Sequence, residues 1–257
     1  MTSISTLFPY RRAAVGMELF AFPHVGAGPT LFHGLRASAA AEGLAITGAL
    51  LPGRGRRVRE EPHRTMRALL SEIQRAAEED DYAAFSGDYG LLGHCSGSIV
   101  ALEVARLLVR LPCANPRLLV VCSSRPPELI PDTGTSWLSR EEMFARTAAL
   151  GGMPEALLAD EDLLDVLERP MRADWEIFDR YVHAPAPALP VPILAARGTD
   201  DATVPPGEQP RWQAQTQLPL RTVGLDTGHW MLAEEGSRAL AREIAAAVSD
   251  LSGALGP

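Results

Sequence analysis

The sequence predicts an α/β fold in which helices cover both faces of a mostly parallel central sheet. Short apolar segments alternate with segments whose apolar residues recur at helical spacing. Several of the apolar segments contain almost no polar residue, which is typical of parallel strands buried on both faces. One long stretch, about 126–188, carries no strand pattern and predicts a helical lid inserted into the alternation. A chain of 257 residues fits a single domain over 1–257 that includes this insertion.

The composition limits the partners and the compartment. The formal net charge of −8 at pH 7 argues against nucleic acid as a partner. No apolar run is long enough for a signal peptide or a membrane span, so we expect a cytoplasmic protein without a membrane partner. The three cysteines, Cys95, Cys113 and Cys122, are odd in number and lack metal-ligand spacing. We therefore expect no disulfide framework, no metal and no bound cofactor.

The first half of the chain predicts three strand–helix units. The first ten residues carry no clear pattern. Strands are expected at 17–22, at 45–51 and from 89 to the turn at 93–97, and helices at 30–42, at 65–79 and from 96 onward.

The turn Gly93-His94-Cys95-Ser96-Gly97 has the form glycine, any residue, nucleophile, any residue, glycine. Such a strand-to-helix turn lifts one side chain above the sheet, and its glycines let the strand and the helix pass closely. Counting from the glycines makes Cys95 the candidate nucleophile and gives the backbone N–H of Ser96 to an oxyanion hole. The helix N-terminus favours a thiolate there. The alternative is a buried structural cysteine, and the turn alone does not decide between the two.

The loop Pro23–Gly28 follows the first strand and is rich in glycine. An α/β-hydrolase supplies its second oxyanion-hole N–H at this point, and we assign that N–H to Val25. His24 is interpreted as a residue that shapes the loop. Phosphate binding is less favoured, because the loop lacks both the G-x-G-x-x-G spacing and a following Lys-Ser/Thr pair.

The second half predicts the lid and the end of the sheet. Strands are expected at 117–122, 192–196 and 220–225, lid helices at 139–150, 154–158, 161–168 and 171–181, and a final helix at 237–249. Ser139 and Glu142 have the spacing of a capping box. The apolar lid residues either line an acyl channel or pack the lid onto the body, and packing is favoured for each of them taken singly; they include Met143, Phe144, Trp175 and Phe178.

An acid and a histidine follow the last two strands. Two aspartates, Asp200 and Asp201, follow the strand at 192–196. The acid at this position usually lies three residues after a glycine and three residues before an apolar residue, and this spacing selects Asp201 over Asp200. His229 is the one histidine of six that follows a strand end in the order nucleophile, acid, histidine. In this arrangement His229 takes the Cys95 proton and Asp201 orients the imidazole, which predicts acyl transfer.

With these residues the chain resembles the type II thioesterases of polyketide and nonribosomal peptide synthesis over nearly its whole length. The resemblance is carried by 19–26 (LFAFPHVG), 52–55 (PGRG), 93–97 (GHCSG), 150–154 (LGGMP) with 172–174 (RAD), the Asp201 loop, and 228–229 (GH). It implies an α/β-hydrolase fold and removal of acyl groups from the phosphopantetheine arm of carrier proteins. The candidate substrate contacts are His24 in the glycine-rich loop and Met143, Trp175 and Phe178 in the lid.

The arginine cluster at 54–59 allows two interpretations. The favoured one is a solvated loop with one arginine in a buried ion pair. The other is contact with the phosphate of a phosphopantetheine arm or with the acidic surface of a carrier protein.

The chain departs from the family pattern at Cys95, where serine is usual. An acyl-cysteine is still a thioester and keeps its activation, so it can pass its acyl group to nucleophiles other than water if the pocket excludes water. An offloading cyclase or acyltransferase is therefore the second hypothesis. Related Dieckmann cyclases carry their acid after the strand that follows the nucleophile, where this chain has Cys122-Ser123-Ser124. A third hypothesis, a non-catalytic subunit that binds carrier proteins, is disfavoured by the intact Asp201 and His229.

Overall fold

The computed structural model describes residues 3–11, 16–150, 153 and 158–253. Its six strands form one sheet in the order β2-β1-β3-β4-β5-β6, and every neighbouring pair is parallel. The strands are β1 (Glu18–Phe22), β2 (Ala45–Gly48), β3 (Tyr89–His94), β4 (Leu119–Cys122), β5 (Ile193–Gly198) and β6 (Arg221–Leu225). The predicted fold class is confirmed, and the strand ends differ from the predicted ones by at most three residues.

Seven α-helices lie in the described part of the chain. They are α1 (Ile4–Leu7), α2 (His33–Ala41), α3 (Met66–Glu79), α4 (Ser96–Leu108), α5 (Arg140–Ala149), α6 (Glu161–Asp179) and α7 (Glu234–Gly253). Helices α2 and α7 share a hydrophobic cluster on one face of the sheet, and α3 and α4 contribute to the cluster on the other face. The two faces explain the continuous apolar strands, because Leu19 packs toward one cluster and Phe20 toward the other. None of the helices described is long and apolar enough to cross a membrane.

The N-terminal residues do carry structure, contrary to the sequence-based expectation. Ser3 caps α1 by accepting a hydrogen bond from the backbone of Thr6. Leu7 and Phe8 are buried, and the ring of Phe8 packs edge-on against that of Phe20 at 4.7 Å between centroids. A single helical turn is too short to give a periodic pattern, so its docking on the sheet could not be predicted locally.

The lid between β4 and β5 is helical where it is described. Ser139 and Glu142 form the predicted capping box at the start of α5. The two helices predicted at 161–168 and 171–181 are instead one helix, α6, which continues through Pro170. Proline removes one backbone donor from a helix, and burial of the α6 face that contains Pro170 offsets that loss. Most of the predicted helix at 154–158 lies outside the described residues.

Candidate active site

Cys95 lies at the turn between β3 and α4, with backbone angles of φ 53° and ψ −123°. This conformation suits glycine, and a side-chain-bearing residue there stores strain. The flanking glycines are required by space, since a Cβ on Gly93 would lie 2.3 Å from the backbone of Gly97 and Ser98. A Cβ on Gly97 would lie 2.1 Å from the carbonyl oxygen of Phe22. The turn therefore holds Cys95 above the carboxyl ends of the strands, as its motif predicts.

Asp201 and His229 meet at the same edge of the sheet. Nδ1 of His229 lies 2.9 Å from Oδ2 of Asp201, and the other carboxylate oxygen accepts hydrogen bonds from the backbone N–H groups of Thr203 and Val204 at 2.8 and 3.2 Å. The Asp201 side chain is fully buried, whereas Asp200 is exposed. The structure thus pairs His229 with the aspartate that the spacing selected.

The electrostatics of this pair favour a charged imidazole. Burial alone would lower the pKa of His229, but the hydrogen bond to Asp201 and the interaction with the nearby Cys95 side chain outweigh it and raise that pKa to about 10. Burial acts in the opposite direction on Asp201, and its hydrogen bonds to His229 and Thr203 prevail and hold the pKa of its carboxyl well below the usual range. Cys95 and His229 line one cavity, and His229 is hydrogen-bonded to Asp201, so the three side chains predicted to act together lie at one site.

Two further histidines and a tryptophan surround His229. Burial lowers the pKa of His24 to about 4 and that of His94 to about 3, so both stay neutral near pH 7. The ring of Trp230 packs against all three imidazoles, with centroids 4.7 to 5.4 Å apart. His229 is thus the one cation of this cluster. Trp230 was not predicted as a site residue, although its position next to His229 was a usable signal.

The amide of Val25 already has a hydrogen-bond partner. It donates to Oγ of Ser96 at 3.0 Å, so the two residues assigned to an oxyanion hole are adjacent, as expected. The contact itself was not predicted, because it joins positions 71 residues apart. Ser96 begins α4, and its backbone N–H is one of the N-terminal donors that a helix leaves unsatisfied.

A cavity of about 200 Å³ opens over Cys95. Three of the predicted substrate contacts line it, namely His24, Trp175 and Phe178. Met143 is fully buried in the hydrophobic core and is not among the described residues that line the cavity, so its assignment as a substrate contact is wrong and the favoured packing interpretation holds for it. The rest of the lining is mostly apolar and includes Ile130, Val204 and Trp230.

Ser123 lines the cavity, and its strained backbone conformation was not predicted from the sequence. It follows β4 with φ 47° and is 1% exposed, and its hydroxyl has no hydrogen-bond partner in the part of the chain that the structure describes. It lines the cavity beside Cys95. The end of β4 thus presents hydroxyls and no carboxylate, and the buried carboxylate at His229 comes from Asp201 after β5.

The arginine cluster is largely structural. Arg54 forms a two-point ion pair with Asp174 on α6, at 2.7 and 2.8 Å, and Arg57 pairs with Glu60 and Glu72. Both arginines are buried, whereas Arg56 and Arg59 are exposed. The favoured interpretation, a solvated loop with a buried arginine ion pair, is confirmed, except that two arginines are buried and paired instead of one.

No group of three or more His, Cys, Asp or Glu side chains among the described residues is arranged to hold a metal ion.

A parallel sheet of this order, with a sharp turn after β3 and an Asp–His pair after β5 and β6, is the architecture of the α/β-hydrolases. Within that class, the chain belongs to the thioesterase domain family, whose sequence profile matches residues 17–248.

Individual relatives agree with this assignment. The thioesterase PikA5 of Streptomyces venezuelae is 29% identical over 221 residues, which cover 85% of this chain and 76% of PikA5. Among solved structures, the thioesterase RedJ from the prodiginine biosynthetic pathway of Streptomyces coelicolor superposes with a TM-score of 0.81 at 29% identity, over 95% of this chain and 98% of RedJ. The type II thioesterase BorB from the borrelidin biosynthetic cluster gives 0.79 at 28% identity, over 93% and 95% of the two chains.

Proposed function

We propose that this protein is a type II thioesterase of a polyketide or nonribosomal peptide pathway. Its substrates are acyl groups held as phosphopantetheine thioesters on carrier proteins, and it removes them by hydrolytic release or editing through an acyl-Cys95 intermediate. The observation that carries the proposal is the hydrogen-bonded pair His229–Asp201, whose imidazole lines a mostly apolar cavity together with Cys95.

The relatives support the substrate class. BorB is described as a type II thioesterase of a biosynthetic cluster, and RedJ as a thioesterase of a biosynthetic pathway. The synthases of polyketide and nonribosomal peptide pathways hold their acyl groups on carrier proteins. We therefore propose an acyl or peptidyl carrier protein as the partner. The phosphopantetheine belongs to that partner, and the chain itself needs no cofactor for the chemistry.

Acylation begins when His229 takes the proton of the Cys95 thiol. The sulfur attacks the thioester carbonyl carbon, a new carbon–sulfur bond forms, and the carbonyl π electrons move onto the oxygen. The oxyanion collapses, the bond to the pantetheine sulfur breaks, and that sulfur leaves with the proton from His229. Asp201 holds the imidazolium in position throughout.

Deacylation repeats the sequence with water. His229 takes a proton from a water molecule as the oxygen attacks acyl-Cys95, and the Cys95 sulfur leaves when the tetrahedral intermediate collapses. The products are the free acid and the starting enzyme. Neutral His24 and His94 leave the base role to His229, because their low pKa values make them poor proton acceptors at pH 7.

Transfer to a nucleophile other than water is the second candidate function. It is favoured by the mostly apolar lining of the cavity over Cys95, which disfavours bulk water, and by the activation that an acyl-cysteine keeps. Such an enzyme closes a ring or acylates an amine, an alcohol or a carbanion. The accumulation of acyl-Cys95 in water separates the two candidates.

The test is release of free thiol from acyl-pantetheine and acyl-carrier thioesters. We expect Cys95→Ala and His229→Ala to abolish turnover, and Cys113→Ala to keep it, since Cys113 lies at the far end of α4. Full activity of Cys95→Ala would exclude the acyl-Cys95 mechanism. Full activity of His229→Ala would exclude the proposed base, and wild-type protein that binds carrier without any turnover would indicate a non-catalytic subunit.

A further inference from the structure

We propose that the side-chain hydroxyl of Ser96 is itself an oxyanion-hole donor and transmits the hydrogen bond of the Val25 amide to the thioester oxygen. This inference rests on the proposed acyl-Cys95 chemistry and adds a catalytic residue to it. The sequence assigns Ser96 only through its backbone, and assigns Val25 a direct contact with the oxyanion.

The first observation is the direction of the hydrogen bond. The Val25 N–H donates and Oγ of Ser96 accepts, at 3.0 Å. The hydroxyl proton of Ser96 therefore remains available, and no acceptor for it is found among the residues that the structure describes. A hydroxyl that accepts one hydrogen bond becomes a stronger donor in a second one.

The second observation is the location of Ser96. It is the first residue of α4, directly after Cys95, and both residues line the cavity together with Val25. Ser96 is half-buried. It thus offers two donors to the cavity that would hold the thioester carbonyl, a backbone N–H at the helix N-terminus and a side-chain O–H.

The third observation concerns the loop that carries Val25. The neighbouring Gly26 N–H donates to the Asp174 carboxylate at 2.8 Å, and the carbonyl of Ala27 accepts from Arg54 at 2.7 Å. These bonds hold the loop from the side of α6. Because the loop is tied at the two residues that follow Val25, the Val25 amide keeps its direction when substrate enters, and the Ser96 hydroxyl bridges from that amide to the substrate.

In the acylation step, negative charge appears on the thioester oxygen as the sulfur–carbon bond forms. The Ser96 N–H and O–H donate to that oxygen, and the hydroxyl keeps its own proton. When the oxyanion collapses and the pantetheine sulfur departs, the same bonds weaken. The Ser96 hydroxyl therefore stabilises the tetrahedral state more than the ground state, which is the requirement for a catalytic donor.

The experiment compares two reactions of Cys95 by quenched intact-protein mass spectrometry. One is acylation by an acyl-pantetheine thioester, which passes through an oxyanion. The other is alkylation by iodoacetamide, which attacks a saturated carbon and forms none. For Ser96→Ala we expect acylation to slow on the order of 10²-fold to 10³-fold, with alkylation within about twofold of wild type. Ser96→Thr, which keeps the hydroxyl, should acylate far faster than Ser96→Ala.

Each other outcome overturns the proposal. Unchanged or faster acylation of Ser96→Ala would show that the hydroxyl merely occupies the hole. An equal loss in alkylation would show damage to Cys95 or to the fold, and Ser96→Thr as slow as Ser96→Ala would assign the loss to something other than the hydroxyl. Wild-type protein that alkylates but never acylates would contradict the proposed function itself.

Discussion

Arg54 and Asp174, 120 positions apart, form a buried two-point ion pair between the loop after β2 and the lid helix α6. The same two side chains reach the glycine-rich loop. Asp174 accepts the N–H of Gly26 at 2.8 Å, and Arg54 donates to the carbonyl of Ala27 at 2.7 Å. The pair therefore connects the lid to the loop that carries the Val25 amide, and it ties two segments of the family resemblance, 52–55 and 172–174, into one structural unit.

Breaking this pair should cost stability. Each side chain is 8% exposed, so Asp174→Ala leaves an uncompensated buried cation, and we expect a loss of about 3–5 kcal/mol in the free energy of unfolding. Urea denaturation of Arg54→Met, of Asp174→Leu and of the double variant tests the pair. The double variant should lose less free energy of unfolding than the two single variants lose in sum. Additive losses would show that the two groups do not interact.

The pKa of His229 should depend on Asp201. The hydrogen bond to Asp201 and the interaction with Cys95 raise that pKa to about 10, so Asp201→Asn should lower it and should reduce turnover on the order of 10²-fold to 10⁴-fold. NMR titration of the His229 ring protons measures the midpoint directly. Asp200→Asn is the matched control, and a midpoint that moves in this control but not in Asp201→Asn would contradict the assignment.

The histidines should also shape the pH dependence of stability. His24 and His94 have pKa values below the ordinary 6.5. At these two residues the unfolded chain therefore binds more protons in acid than the folded chain does, and the free energy of unfolding rises with pH from about 4 to 6.5. His229 has the opposite sign: its pKa is raised to about 10, so its contribution is full below 6.5 and is lost as the pH rises toward 10.

Urea denaturation at pH 7 and pH 9 tests the alkaline arm. We expect wild type to lose on the order of 1 kcal/mol per pH unit over this range, and His229→Gln to lose clearly less. Parallel pH profiles for the two proteins would exclude the charged His229 as the cause.

The strain at Cys95 predicts an unusual ranking of stabilities. Its φ of 53° and ψ of −123° suit glycine, so Cys95→Gly should be more stable than Cys95→Ala by about 1–2 kcal/mol, although glycine normally destabilises. Both variants lack the thiol, so the comparison isolates the backbone. An alanine variant as stable as the glycine variant in urea would show that the turn is unstrained.

Replacing the sulfur with oxygen should separate hydrolysis from transfer. If water is the natural acceptor, Cys95→Ser should remain a hydrolase. If the natural reaction is ring closure or acyl transfer, the serine variant should release free acid instead, because its acyl ester is less activated than a thioester. Product analysis by mass spectrometry decides, and ring closure retained by Cys95→Ser would contradict the argument from thioester activation.

The sequence predicts the sheet, the turn at Cys95 and the choice of Asp201 because these depend on local patterns and on chain order. Apolar runs define strands buried on both faces, and the glycines at 93 and 97 fix the turn. The bond between Val25 and Ser96 and the pair Arg54–Asp174 join distant segments, so no local pattern encodes them.

The errors have similar causes. Proline at 170 indicates a helix end locally, yet burial of the surrounding face keeps α6 continuous. Met143 is an apolar lid residue of the kind that could line an acyl channel, but the packing of α5 places its side chain in the hydrophobic core. The strained backbone of Ser123, and the lack of a hydrogen-bond partner for its hydroxyl among the described residues, follow from the way β4 ends beside Cys95, which only the assembled sheet reveals.

The central claim is that Cys95 carries the acyl group, and one measurement tests it most directly. The protein is incubated with an acyl thioester of pantetheine or of a carrier protein, and its intact mass and the released product are followed together. We predict a mass increase of one acyl group on Cys95 that decays with release of free acid, and no increase in Cys95→Ala. Free acid formed at the wild-type rate by Cys95→Ala, or an acyl group located on another residue, would contradict the account.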